Sequence, residues 1–235
     1  MTRPDVSRGV FETLLVRAGR VQALGAHLDR LAASVSELYA ASLPDAVRDE
    51  ILSTARSLTG DHRMRIDAVP HADGAHVTMT ASALTGPRTP AATTVPVTIS
   101  GGLGPHKWCD RRHLDALAER AGPNSVLLIA DDDDQVLEAA WANVWLLKGD
   151  RLSTPPADGR ILPGVTRSRL LSLAAPLGLQ ADEAAISLTD LQLAPSAFLT
   201  SSLRVTALAS PSSSRAPVDP RIAAIAEALA AGAWT

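Results

Sequence analysis

The sequence predicts an α+β fold in two unequal parts, and three observations carry that prediction. Residues 9–24, GVFETLLVRAGRVQAL, alternate apolar and polar side chains on either side of Ala18-Gly19, the pattern of two strands around a tight turn. Residues 24–39 instead repeat apolar positions at helical spacing, with Leu24, Leu28, Leu31, Val35 and Leu38 four, three, four and three residues apart. Residues 85–92, TGPRTPAA, interrupt both periodicities with prolines and small side chains. The chain therefore divides into a small N-terminal domain, 1–84, an interdomain linker, 85–92, and a larger C-terminal domain, 93–235.

Taken in order, the opening hairpin is followed by the helix at 24–39, on which His27 and Arg30 share a face beside the apolar stripe. Residues 44–60 read as a second helix, with Pro44 at its start and Gly60 as its stop. HRMRIDAVP and AHVTMTASAL are strands joined by the turn HADG. Beyond the linker, TTVPVTIS and SVLLIAD are strands flanking a helix over roughly 107–121. QVLEAAWANVWLLKGDRLSTPP reads as a strand, an irregular corner and a hairpin turning at Lys148-Gly149-Asp150. ILPGVTRSRLLSLAAPLG is a glycine turn opening a helix that stops at Gly178, AFLTSSLRVTALAS is strand-like, and PRIAAIAEALAAGAW closes the chain as a helix.

The bulk numbers narrow the function. At 235 residues, 46% hydrophobic and 20% charged, the chain has enough apolar material for a sizeable core. A net charge of −3 with dispersed arginines supplies no basic field, so nucleic acid is not an expected partner. One cysteine, Cys109, makes neither an internal disulfide nor a cysteine metal cluster, and the start MTRPDVSRGVFE lacks the apolar core of a secretory signal. No apolar run has the length of a membrane span. The expectation is a cytoplasmic protein with neither membrane nor metal partners. The six histidines show no paired ligand spacing, and Asp131 to Asp134 read as a solvated loop.

Chemistry concentrates at a few positions. Twenty of the 22 basic residues are arginine, and the two lysines are Lys107 and Lys148. Lysine differs from arginine in that its amine can lose a proton and attack a carbonyl. Lys107, in GPHKWCDRRHL, is therefore a candidate nucleophile, the alternative being chance survival; Lys148 sits on a hairpin tip. LPGVTRSRLL aims backbone N–H groups and the Thr166 hydroxyl at one point, either as an ordinary helix start or as a phosphate cup. Glu138 ends an apolar strand, where it meets either a cation or ring N–H, or water. No Walker, dinucleotide-glycine or G-x-S-x-G pattern is present.

GVFETL, HLDRL, HKWCDRR, VLEAAWANVW, LSTPPADGRILPGVTR and AFLTSSL, in this order from residue 9 to about 208, resemble the class IV aminotransferases, the fold-type-IV pyridoxal phosphate enzymes. The resemblance implies a two-domain α+β fold like that of D-amino acid aminotransferase. A small N-terminal α/β domain would precede a larger domain with a barrel-like sheet, with the cofactor in the cleft between domains and, in a homodimer, a loop of the neighbouring subunit closing the substrate side. It implies that Lys107 joins the pyridoxal 5′-phosphate aldehyde and that Glu138 pairs with the ring nitrogen. Arg30 would grip the phosphate with Gly164, Val165, Thr166 and Ser202, while Leu162 packs on the ring and Asn143 braces the site. Two departures stand out. Only Met1 to Arg8 precede Gly9, where the family carries a further hairpin, so the small sheet is trimmed or its edge is covered by a partner. Where branched-chain enzymes have an Asn-Tyr pair after the lysine, KWCDRR offers Asp110 and Arg111, which is more similar to aminodeoxychorismate lyases.

Three functions compete. The first is a lyase converting 4-amino-4-deoxychorismate to 4-aminobenzoate and pyruvate on the folate route. Lys107 would move the protons, Thr13 assist the departing group, and Arg111 or Arg204 hold a substrate carboxylate. The second is an aminotransferase for a branched-chain, D- or other amino acid with a keto-acid acceptor. The third is a non-catalytic module on the same scaffold, which predicts a colourless protein without cofactor. Cys109 reads as a half-buried bystander beside the lysine.

Overall fold

A computed structural model describes residues 4–84, 92–123, 125–209 and 219–235. In the first strand, β1 (Val10–Arg17), Val10, Leu14 and Val16 enter a core while Phe11, Thr13 and Leu15 take the opposite face. Ala18 (φ 47°) and Gly19 (φ 78°) both have left-handed backbone, as a two-residue hairpin turn requires, and return the chain into β2 (Arg20–Val21). The amphipathic helix α1 (Leu24–Tyr39) lays Leu24, Leu28, Leu31 and Val35 on that core. Helix α2 (Val47–Arg56) adds Val47, Ile51 and Ala55. It is shorter than the expected 44–60: the chain leaves helical hydrogen bonding at Ser57, before Gly60 is reached. Strands β3 (Asp61–His71) and β4 (Gly74–Ala83) complete an antiparallel sheet in the order β2-β1-β3-β4.

The chain forms two compact units. The N-terminal unit holds residues 4–84 together with 106–111 and 232–235. Of the linker expected at 85–92, all but Ala92 lies outside the described residues. The inserted segment 106–111 corrects one expectation, because helix α3 (Arg112–Ala121) begins five residues later than the predicted 107. The residues before it are extended. Lys107 O accepts Phe11 N–H (2.8 Å), Cys109 N–H donates to Gly9 O (3.0 Å), and Trp108 bridges Val10, so β1 takes them up as an added strand. An open strand edge offers hydrogen bonds that outweigh the local helical tendency.

In the C-terminal unit, β5 (Thr93–Thr98) runs parallel to β6 (Ser125–Ala130) through the α3 crossover, and β7 (Val136–Ala139) is antiparallel to β6. A second sheet follows the order β10-β9-β8-β11-β12, formed by β8 (Asn143–Lys148), β9 (Arg151–Thr154), β10 (Gln180–Glu183), β11 (Ser196–Thr200) and β12 (Val205–Ala207). Both faces of β8 are buried. Val144 packs with Leu199 on one side, and Trp145 and Leu147 pack with Phe198 on the other, which explains why NVWLLK is apolar almost throughout. Helices α4 (Val165–Leu173) and α6 (Pro220–Ala231) cover the second face through Leu170, Ile222, Ile225 and Leu229. The short strand β10 and helix α5 (Leu188–Leu193) are additions to the predicted elements; the helix is started by a capping box between Ser187 and Asp190. Among the described residues, no helix is long and apolar enough to cross a membrane.

Candidate active site

Four of the predicted site residues come together in the C-terminal unit around the turn 162–164. Glu138, at 4% exposure, faces the Leu162 N–H with both carboxylate oxygens at 3.4 Å. Asn143, at 5%, donates from Nδ2 to Leu162 O at 3.1 Å. The two conspicuous polar residues of VLEAAWANVW thus hold the backbone of Leu162 on both sides of its Cα, Glu138 at its N–H and Asn143 at its C=O. Gly164 is forced by this arrangement: a Cβ there would lie 1.9 Å from Asn143 Oδ1. The turn delivers the chain into α4, whose start carries no side-chain cap, so the N–H groups of its first turn have no side-chain acceptor among the described residues. Val165 and Thr166 are buried at that start. Arg167 beside them ties the turn down, donating to Pro155 O (2.8 Å) and pairing with Glu183 (2.8 Å).

Ser202 and Arg204 lie on the turn after β11. Thr200, two residues before Ser202, is the register partner of Asn143 and accepts the Trp145 indole N–H at 2.9 Å. The Arg204 guanidinium sits 5.0 Å from the ring centre of Trp141, in the corner between Glu138 and Asn143. Asp131 belongs to the scaffold of the same turn and is not merely solvated. Its carboxylate accepts Gly101 N–H (3.0 Å) and pairs with Arg160 (3.0 Å), two residues before Leu162. Among the described residues, no group of three or more His, Cys, Asp or Glu is placed to hold a metal.

Lys107, Thr13, Arg30 and Arg111 belong to the N-terminal unit. Lys107 Nζ lies 4.8 Å from the centre of the Phe11 ring, which also carries the Arg65 guanidinium at 3.8 Å. Thr13, half-buried and two residues on, shares that face of β1. The segment bearing Lys107 is fastened on both sides. The His106 ring meets Ser34 Oγ at 3.0 Å, and the Cys109 thiol donates to Asp67 at 3.1 Å. Arg65 binds Asp67 through a fork of bonds at 2.6–2.9 Å. Burial first, then the hydrogen bond to Asp67 and its charge, push the Cys109 thiol up to about 12, against a smaller opposing effect of Arg65. Arg111 ends the segment, half-buried.

Arg30 is occupied in a way the sequence reading missed. Its Nε and Nη2 grip Glu12 at 2.7 and 2.9 Å, and His27 Nδ1 meets the same carboxylate at 2.8 Å. Burial alone would raise the Glu12 carboxyl, but the Arg30 charge, hydrogen bonds from His27 and Arg30, and the His27 charge overcome it and hold it at about 2. Ionised and acceptor-only, Glu12 fixes the proton of His27 on Nδ1. The signal was present in the sequence. An acid at an inward position of a strand, between Val10 and Leu14, requires cationic partners, and His27 and Arg30 share one helix face.

The chain matches the family described as amino-transferase class IV over residues 9–210. It is 28% identical over 214 residues to a D-alanine aminotransferase of Listeria innocua, covering 82% of this chain and 74% of that protein. It is 37% identical over 106 residues to branched-chain-amino-acid aminotransferase 6 of Arabidopsis thaliana, covering 43% of this chain and 30% of that one. Among solved structures, the PLP-bound form of a hypothetical aminotransferase from Mycobacterium tuberculosis superposes with a TM-score of 0.83 at 22% identity, covering 98% of this chain and 93% of that one. The 4-amino-4-deoxychorismate lyase of Pseudomonas aeruginosa gives 0.70 at 24% identity, with coverages of 88% and 86%.

Proposed function

The chain belongs to the class IV aminotransferases and is a pyridoxal phosphate-dependent enzyme; we propose that its reaction is the lyase cleavage of 4-amino-4-deoxychorismate to 4-aminobenzoate and pyruvate. The residues present fit the cofactor. An uncapped helix start behind a glycine whose added Cβ would collide with Asn143 suits a phosphate, and an amine and a buried carboxylate suit an aldehyde and a ring nitrogen. When bound, the cofactor supplies an aldehyde that captures the substrate amine and a ring that accepts electrons from the neighbouring carbon.

The chain's own groups then have distinct tasks. Lys107 Nζ holds the aldehyde between turnovers and carries a proton from the substrate carbon. Glu138 would keep a proton on the ring nitrogen, and Asn143 holds the Leu162 carbonyl in place. Arg30, Gly164, Val165, Thr166 and Ser202 take the phosphate, and Leu162 backs the ring. Arg111 or Arg204 receives a substrate carboxylate. The observation that carries the lyase reading is that the Thr13 hydroxyl shares its strand face with the Phe11 ring under the Lys107 amine, a donor for a departing enolate. The chain's one tyrosine, Tyr39, is meanwhile committed to Val6 O at 2.9 Å. A cytoplasmic homodimer completes the proposal.

The relationship to D-alanine aminotransferase favours a second reading, transfer of the amino group to a keto acid. Incubation of the purified, cofactor-loaded protein with 4-amino-4-deoxychorismate is expected to release 4-aminobenzoate, and Lys107→Ala to abolish that release. Amino-group exchange between D-alanine or a branched-chain amino acid and 2-oxoglutarate, with no 4-aminobenzoate formed, replaces the lyase by the aminotransferase.

A further inference from the structure

We propose that Glu12 is a positioning residue that sets the grip of Arg30 on the cofactor phosphate, with His27 steadying it. The inference rests on the assignment of Arg30 to the phosphate. Glu12 projects from β1 into the apolar face of the sheet, where its side chain is 2% exposed, His27 4% and Arg30 13%. A buried acid in that place is costly, and an apolar pair of similar volume would serve packing at least as well. What the acid adds is direction. Arginine carries five N–H donors in a rigid plane. Glu12 takes the Nε and Nη2 edge as a fork, which fixes the orientation of the plane and hence of the donors on its other edges.

The carboxylate also cancels most of the long-range field of Arg30, so the arginine acts on an anion through aimed hydrogen bonds more than through net charge. His27, three residues before Arg30 on α1, holds Glu12 Oε2 and stops the carboxylate from following the guanidinium when it moves. The consequence is a definite sign. Glu12→Gln gives Arg30 more net charge but keeps only one acceptor on the fork, and the loss of aim outweighs the gain of charge.

Full-length protein, freed of cofactor and reconstituted, is titrated with pyridoxal phosphate and with pyridoxal, which has the same aldehyde and ring but no phosphate. The wild type is expected to prefer the phosphorylated form. Glu12→Gln should reduce that preference by about tenfold with pyridoxal affinity unchanged, the scale of one charge-assisted hydrogen bond. His27→Gln should reduce it less, Glu12→Asp should restore part of it, and Arg30→Gln should remove it so that adding Glu12→Gln costs nothing more. Equal losses for both aldehydes in every Glu12 and His27 variant, or an undiminished preference in Glu12→Gln, overturns the inference and leaves the cofactor assignment standing. A wild type that binds both aldehydes equally overturns the assignment of Arg30 to the phosphate, and the inference with it.

Discussion

At the residue scale, two groups with strongly displaced protonation behaviour make opposite predictions. Cys109 lies two residues from Lys107, yet its thiol is held at about 12 by burial and by donation to Asp67, so almost none of it is thiolate at neutral pH. Alkylation by iodoacetamide at pH 8 is expected to be at least tenfold slower than that of a free thiol of ordinary pKa near 8.5. Asp67→Asn, which removes the acceptor charge, should speed it. Glu12 is displaced the other way, from 4.5 to about 2. Its folded value lies below the unfolded one, so its contribution is complete above about pH 4.5 and drains away as pH falls towards 2. The full displacement corresponds to roughly 3 kcal/mol. Denaturant midpoints of wild type and Glu12→Gln should therefore differ most at pH 6 and draw together as the pH falls to about 2; a gap independent of pH would contradict the pairing. Lys107 and Glu138 stand out in the sequence because each is a chemically odd choice for its surroundings, whereas Asn143 enters only through the family resemblance. Glu12 does not stand out, because its cationic partners His27 and Arg30 come from the next helix rather than from beside it in the strand.

At the element scale, the proposed cofactor site is organised by a turn more than by any helix or strand. Glu138 and Asn143 stand at the end of β7 and the start of β8, joined by a tight corner closed through Ala139 and Ala142. The backbone N–H and C=O of Leu162 are clamped between them, which aims the start of α4. Gly164→Ala would drive a methyl group into Asn143 Oδ1 at 1.9 Å. The corner must open or the turn must shift, and the expected result is loss of pyridoxal phosphate affinity by tenfold or more with the fold retained, read by titration and circular dichroism. Asn143→Ala leaves Leu162 O without its buried donor and should lower stability by about 1–3 kcal/mol. Both effects are local, and a variant that keeps wild-type affinity and stability would show that the clamp is not needed. The sequence placed these elements well because glycine turns and strand corners are punctuated by residue type. It misplaced the start of α3 because 107–111 have no strand pattern of their own; they are extended only because the edge of β1 supplies bonds from residues about a hundred positions away.

At the scale of the whole molecule, the units are not consecutive stretches of chain. The N-terminal sheet is extended twice along its β1–β2 edge, by 106–111 against Gly9–Phe11 and by the last residues against β2. Val21 and Thr235 exchange both backbone hydrogen bonds (2.8 and 2.9 Å), Ala23 N–H donates to Ala233 O (2.6 Å), and Arg17 covers the Trp234 ring at 5.5 Å. The division read from the sequence at 85–92 isolates 1–84 without either of these strands, because proline and small-residue punctuation marks where the chain leaves a unit and carries no trace of where it comes back. A fragment of residues 1–84 would expose the Val10 and Val21 edges and lose Trp108 from its core. It is expected to show weak, non-cooperative thermal unfolding by circular dichroism, whereas the full chain unfolds sharply. Removing only 232–235 from the full chain is the milder test. Three backbone hydrogen bonds worth about 1 kcal/mol each should go, lowering the thermal midpoint by roughly 2–4 °C per kcal/mol lost. An unchanged midpoint would mean that the returning strand lies on the sheet without holding it. A sharp transition in the isolated fragment would mean that the sheet is stable without the segment that carries Lys107.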